Sequence, residues 1–443
     1  MTVSTTTSER TPAGGGTAAP QTEASFGGEG WRKTFASLEN PSFRLLWLSM
    51  IASFLGLHMS FLAQADLTYQ LEGNAKAVAF TVIAWGVPQA VFSLIGGVVA
   101  DRIHKRTIMI VSQSAVGVAM LVMAVLIQTG RIELWQIIVV GLVQGTVFAF
   151  NVPARQAWIP EIVGRDRLTN AIALHSAAFN AMSTVGPALA GILIGISFIG
   201  HTGAYYVMAG CFAVTVLLLL RMPPEGAEPR KTKDSAVAQM VEGVRYVRGH
   251  EVLLSVLMMG FVLIVLGMPY RTLLPVFSED IYDVGSVGFG LMSAAIGIGA
   301  VIGSLAIAYL SDYPKKNQLL VGLGTLFCVA LAFFAATPWF VVGLVALGFV
   351  GLLSMGYVSL NNTLVLSNAD PAFYGRVQSV YMLSWSVQPF VALPVAALAD
   401  ASSAQAAVIV TAAVTMAALW ATMLLMPGYR RLSERPAVAA PAR

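Results

Sequence analysis

The sequence predicts an all-α membrane protein of twelve transmembrane helices in two pseudo-symmetric sets of six, on three observations. Of the 443 residues, 57% are hydrophobic and only 11% charged, whereas a soluble domain carries about 25% charged residues. Apolar runs long enough to cross a hydrocarbon core about 30 Å thick recur along the chain. A gapless shift of 211 residues lays polar and glycine positions of the first six runs on those of the second six. The runs are continuous rather than alternating, which excludes a β-barrel and leaves helices that satisfy their own backbone hydrogen bonds.

Residues 1–42 are rich in Thr, Ala, Gly and Pro, lack the features of a signal peptide, and are expected to form a disordered tail. The first half, 43–221, is expected to contain spans at 43–68, 77–100, 107–128, 134–158, 169–198 and 204–220. A linker follows at 222–251, opening with Pro223 and Pro224. Within it Val237, Met240, Val241, Val244 and Val247 oppose Glu242, Arg245 and Arg248 at helical spacing. That pattern suits either a connector helix or one lying on the membrane surface. The second half, 252–427, is expected to contain spans at 252–277, 287–310, 318–336, 339–366, 375–399 and 404–426, before a tail at 428–443.

Charge placement gives the expected orientation. With the N-terminus inside, 23 of the 26 Lys and Arg residues fall on inner segments, only Lys76 and Arg131 on outer loops, and Arg271 inside a span. Both termini are therefore expected to be cytoplasmic, in a multi-pass protein of the plasma membrane. Cys211 and Cys328 lie in separate apolar runs and read as packing residues. The shift of 211 pairs Asp101 with Asp312, Lys105 with Lys316, Asn151 with Asn362, Pro160 with Pro371 and Arg165 with Arg376. Parallel repeats of this kind suit a transporter that rocks about a site between its halves.

The loop after the second span reads Gly97-Val-Val-Ala-Asp101-Arg102-Ile-His-Lys105-Arg106. It resembles motif A of the major facilitator superfamily, with a weaker second copy running from Ala308 through Asp312 and Lys315 to Lys316. The resemblance implies gating contacts in which each Asp caps the first turn of a helix in the other half, at Gly375-Arg376 and Gly164-Arg165, closing the cytoplasmic side. A carboxylate in that position meets unpaired N–H groups and the positive end of the helix dipole. Asn40-Pro-Ser-Phe-Arg44, Asn151-Val-Pro-Ala-Arg155, Leu168-Thr-Asn170 and Glu242-Gly-Val-Arg-Tyr246 look like the exporter branch that contains bacterial macrolide-efflux and enterobactin-export proteins. Gly186-Pro187-Ala-Leu-Ala-Gly191 is similar to the antiporter motif C, with Met182 and Ala190 departing from its glycines. Many proton-coupled relatives carry R-x-x-Q-G in the fourth span; here Gly141 stands at the arginine position before Gln144-Gly145.

Ionisable groups inside a bilayer are costly and mark candidate functional sites. Asp66 lies about 9 Å below the outer end of span one, and Arg271 at a comparable depth of about 12 Å in span seven. They are the candidates for proton coupling, either facing each other across the cavity or snorkelling separately to the interface. His58, Gln64, Gln144, Asn151, Asn361, Asn362, Tyr357, Trp385 and Gln388 are candidate substrate-cavity residues, although hydrogen bonding between helices is the commoner role of such groups. With no inward arginine cluster, a moderately apolar, cationic or neutral solute is expected. Metal-spaced His or Cys, a phosphate loop and a nucleophile elbow are all lacking, so neither an enzyme nor an ATP-driven pump is expected, and no cofactor or metal. The expected partners are a small-molecule substrate, the proton and membrane lipid, not nucleic acid, in a protein working as a monomer. The resulting expectation is a secondary transporter exporting a small amphipathic molecule by proton antiport. A facilitator, an importer, or a non-transporting sensor are its alternatives.

Overall fold

The computed structural model describes residues 36–164, 167–223, 236–310, 313–370, 373–426 and 428–429, without the side chains of 93–102 and 236–240. Every regular element among them is helical. A 3-10 turn, Ala36–Glu39, leads into α1 (Pro41–Glu72), α2 (Ala75–Arg102), α3 (Lys105–Gln128), α4 (Leu134–Val163), α5 (Leu168–Gly195) and α6 (Gly200–Leu220). The linker forms α7 (Ala236–Arg248). The second set comprises α8 (Glu251–Ile281), α9 (Gly285–Tyr309), α10 (Lys316–Ala336), α11 (Phe340–Ser367), α12 (Tyr374–Ala401) and α13 (Ala404–Leu425). Twelve of these helices are long and apolar enough to cross a membrane.

Their ends follow local chemistry. The Asn40 side chain accepts from the Ser42 and Phe43 amides at 2.9 and 3.3 Å, with Pro41 at the first turn where its missing N–H costs nothing. Gly73 stops α1 at φ 63°, a conformation that suits glycine. Glu133 and Gln136 form a reciprocal cap on α4, and the Ser403 hydroxyl accepts from the Ala406 amide to start α13. The exporter-like segments prove to be partners: Asn40 Nδ2 donates to the Ile162 carbonyl at 2.9 Å, and the Ser37 amide to Asn170 Oδ1 at 3.0 Å.

Packing repeats in the two sets. Gly141 and Gly145 on α4 lie against α2 at Ala84 and Trp85, while Gly299 and Gly303 on α9 lie against α11 at Gly348 and Leu352. Small residues let helix backbones approach where lipid supplies no hydrophobic drive. A Cβ on Gly141 would already lie 3.2 Å from that of Ala84, so an arginine in its place would collide with α2.

The chain has two dissimilar ends. Lys105, Arg106, Arg167, Lys315, Lys316 and Arg376 gather at one, and Glu72, Glu133, Asp280, Asp283 and Asp400 at the other. At the basic end α7 is a docked connector: Gly243 sits against the Arg376 backbone, Glu242 pairs with Arg376 at 3.1 Å, and the Tyr246 ring stacks on Phe373 at 4.1 Å. Cys211 and Cys328 are free thiols.

Candidate functional site

At the acidic end four contacts among the described residues define the seam between the two sets of helices, beside the packing of Gly195 on Val287. A Cβ on Gly191 of α5 would lie 2.7 Å from the Gly290 Cα of α9, a backbone-to-backbone approach that only glycine permits. Tyr69 of α1 donates its hydroxyl to Asp280 of α8, its partner 211 positions on, as expected where a pseudo-two-fold axis passes between equivalent residues. Asp400 of α12 accepts from the Ala75 and Lys76 amides at 2.9 and 3.2 Å, capping the start of α2 from the other half. The fourth contact is Asp66.

Asp66 is fully buried, yet three side chains converge on its Oδ2. Ser286 of α9 donates at 2.7 Å, His201 Nε2 of α6 lies 2.9 Å away, and Gln70 donates at 3.2 Å while also reaching Ser286 at 3.3 Å. Its other oxygen has no partner among the described residues. Tyr205 of α6 and Glu279 of α8 lie within electrostatic reach. Buried carboxylates of this kind persist where a proton or an opposite charge is part of the site's work.

The facing pair expected from the sequence is not made. Among the described residues no ion pair joins Asp66 to Arg271, which is exposed on α8 and within electrostatic reach of His58. The repeat register explains the miss. Equivalent depths differ by 211 residues, so Asp66 stands level with Phe277 and Arg271 with Ser60, six residues or about 9 Å away along the helix. The side chain from another helix of the same half that meets Asp66 is instead His201, whose Nε2 lies 2.9 Å from Oδ2 and which the sequence did not single out.

The remaining candidates divide. His58 joins an aromatic wall on the first half: its ring lies 5.0 Å from Phe179 and 6.0 Å from Phe61, which continues through Trp85 to Phe148. Gly186 sits against the His58 backbone, and Pro187 offers its carbonyl side to Gly290, so the motif C segment wedges between α1 and the seam. Gln64 donates to Gln144 at 2.8 Å and Gln144 to Ser60 at 2.9 Å, a relay tying α1 to α4. Asn361 donates to the Val256 carbonyl and Tyr357 to that of Met259; both are buried and tie α11 to α8. Asn362, Trp385 and Gln388 are half-buried on the second half, and the structure does not gather them into one site.

Of the gating residues, Lys105 pairs with Glu161 at 2.9 Å, and Arg106 donates to the Leu219 and Leu220 carbonyls at 3.0 and 2.8 Å, closing the end of α6. Both contacts stay within the first half. Lys316 opens α10, half-exposed, and Arg376 is held by α7. The surroundings of Gly97, the side chains of Asp101 and Arg102, and residues Arg165 and Asp312 lie outside what the structure describes.

One group was misread altogether. Arg155, counted from the sequence with the inner positively charged residues because it stood three residues from the expected end of span four at Trp158, lies eight residues inside the end of α4 and is 5% exposed. It donates to Asn151, which donates to Ser112 at 2.9 Å, and its guanidinium rests 4.6 Å from the Phe54 ring centre. The signal was present: Asn151 and Arg155 share a helix face, and nothing between Arg155 and Trp158 breaks the helix.

Twelve spans in two packed sets, sealed at one end, are a transporter's architecture, and comparison with known proteins decides which. Residues 32–435 match the family model described as transmembrane secretion effector, of the major facilitator superfamily. The chain belongs to that family. It is a transporter of the major facilitator type rather than an enzyme. Among curated proteins it is similar to the enterobactin exporter EntS of Shigella boydii, 25% identical over 77% of this chain and 81% of the relative. It is also similar to macrolide efflux protein A of Enterococcus faecalis, 23% identical over 70% of this chain and 96% of the relative. Among solved structures, a point mutant of the nucleoside transporter NupG shares the fold at a TM-score of 0.70 and 14% identity, over 87% of this chain and 99% of that one. A bacterial homologue of the lysosomal transporter Spinster, inward-facing and unoccupied, does so at 0.65 and 15%, over 90% and 99%.

Proposed function

We propose that this transmembrane secretion effector is a secondary active exporter, moving a small amphipathic molecule (a drug, siderophore or metabolite) out across the plasma membrane in exchange for protons. The observation that carries this reading is the Asp66 cluster. A buried carboxylate of one half accepts from a seryl hydroxyl of the other half while meeting a histidine of its own half at the same oxygen, so a change in proton count there bears directly on the contact that closes the acidic end. Two relatives named for export, of enterobactin and of a macrolide, support the direction. The basic end is then cytoplasmic, with both termini inside, and the seal at the acidic end leaves solute access from within. The protein works as a monomer surrounded by lipid, by alternating access of one half against the other.

The test begins with efflux from cells loaded with fluorescent amphipathic dyes, wild type against deletion, to find a transported solute. Vesicles with an imposed pH gradient then follow that solute. Gradient-driven flux in the wild type and its loss in Asp66→Asn and His201→Gln are expected. Equal pH dependence in all three would remove Asp66 from coupling, and flux insensitive to the gradient in the wild type would favour a facilitator.

A further inference from the structure

We propose that the cleft around Arg155, inside the first half, receives the anionic head of the exported solute. This deepens the export reading, names a carboxylate-like oxyanion as the recognised chemistry, and replaces the cationic or neutral solute expected from the sequence.

The charge itself is the first argument. Arg155 is buried, and its position in α4, eight residues before Val163, places it about 12 Å inside the helix end. A guanidinium does not escape burial by losing its proton. Buried charges are otherwise paired, because an unpaired one forfeits its hydration without return. Yet no carboxylate stands within ion-pair distance of Arg155 among the described residues; Glu161, the acid on its own helix, is engaged by Lys105 at 2.9 Å. What the fold supplies is partial: the Asn151 side-chain oxygen, and the Phe54 face at 4.6 Å. Nε has no hydrogen-bond partner among the described residues.

The space is the second argument. Arg155 lines a cleft between α1, α3, α4 and α6 with Ser53, Gln113, Gln144 and Asn151 as its other polar groups and Phe54 and Phe212 as apolar walls. Its water-accessible volume is about 30 Å³. That is room for two waters or one carboxylate, not for a whole solute. Leu57, Val147 and Phe148, all half-exposed, border it between α1 and α4, and Phe148 is the last ring of the aromatic wall that runs back to His58. A solute with one charged end and an apolar body fits this arrangement: the head enters the cleft and the body lies on the rings. A planar two-oxygen head matches the fork of a guanidinium.

The second half has no counterpart. The 211-residue shift carries Arg155 to Leu366 and Phe54 to Val265. A charge required only for folding of a six-helix repeat has no reason to be confined to one copy.

The test uses the purified full-length chain in neutral detergent, with sodium benzoate as the anionic probe, benzamide as its neutral isostere and sodium chloride at equal concentration. A saturable rise in melting temperature with benzoate is expected, with none from benzamide and a smaller one from chloride. Arg155→Gln is expected to abolish the benzoate shift, and Arg155→Lys, which keeps the charge and loses the fork, to weaken apparent affinity about tenfold. Equal responses to benzoate and benzamide in the wild type, or an undiminished benzoate shift in Arg155→Gln, would overturn the proposal. Chloride matching benzoate would make this an inorganic-anion site and overturn the headgroup assignment. The wild-type contrast between the two probes decides the matter even if Arg155→Gln fails to fold. Binding here is independent of flux, so vesicles that move no solute would sink the export reading and leave this result standing.

Discussion

Helices α1 and α8 hold equivalent places in the two halves and are built differently. α1 is a continuous α-helix from Pro41 to Glu72, whereas α8 passes through a π turn at Leu263–Gly267, a 3-10 turn at Met268–Leu273 and a second π turn at Phe277–Ile281. The cause is in the sequence. Pro269 and Pro275 stand where α1 has His58 and Gln64, and each removes an N–H and crowds the carbonyl a turn earlier. Just before the irregular stretch, Tyr357 and Asn361 of α11 donate to the Met259 and Val256 carbonyls and tie α8 to its neighbour there. One copy of the repeat thus holds His58, Gln64 and Asp66, the residues proposed for coupling and for the cavity, on a continuous helix. The other carries the deformable backbone, and π turns within helices are frequent at working sites.

That division can be broken at several points. The largest effect is expected from Asp66→Asn, which should cut gradient-driven flux in vesicles at least about tenfold, while Arg271→Gln, on the deformable helix and outside the cluster, retains its pH dependence with a loss below about threefold. Next comes the seam. Gly191→Leu forces a side chain onto the Gly290 backbone, so a membrane-impermeant maleimide should label a Val276→Cys reporter several times faster than in the parent; unchanged labelling would mean that the halves do not close there. Replacing Pro269 and Pro275 together by Ala should regularise α8, raise the melting temperature by a few degrees and lower flux about fivefold; unchanged flux would deny the irregular backbone a role. The smallest effect belongs to Tyr69→Phe, which deletes one solvent-replaceable hydrogen bond worth about 0.5 kcal/mol net and should raise the labelling rate at Val276→Cys by about twofold.

Much of the architecture was legible because it rests on composition and period. The twelve spans, the six-plus-six order, the linker helix and the glycines at 141, 145, 186 and 191 are all one-dimensional signals. The 211-residue register also contains the depth relation that excludes an Asp66–Arg271 pair, a relation hidden when each depth is measured from its own helix end. Partners that converge in space were not legible. His201 and Ser286 lie 135 and 220 residues from Asp66, and no periodicity links them to it. Asp400 escaped attention because an acid near a helix end reads as an interface residue, and Arg155 because a basic residue near one reads as topology.

The Asp400 contact has a consequence of its own. The four amides that begin any helix need acceptors, and α2 borrows two of its acceptors from across the seam. Parting the rim orphans nothing for long, since an open basin of about 750 Å³ bordered by Tyr69, Lys76, Asp280 and Asp400 gives water access to take over each bond as it is released. The rim is therefore held by exchangeable bonds, each worth on the order of 1 kcal/mol net. On the proposed alternating-access reading, a clasp of that kind would yield to the modest free energy of one bound solute or one transferred proton, and would re-form without having to dry itself first.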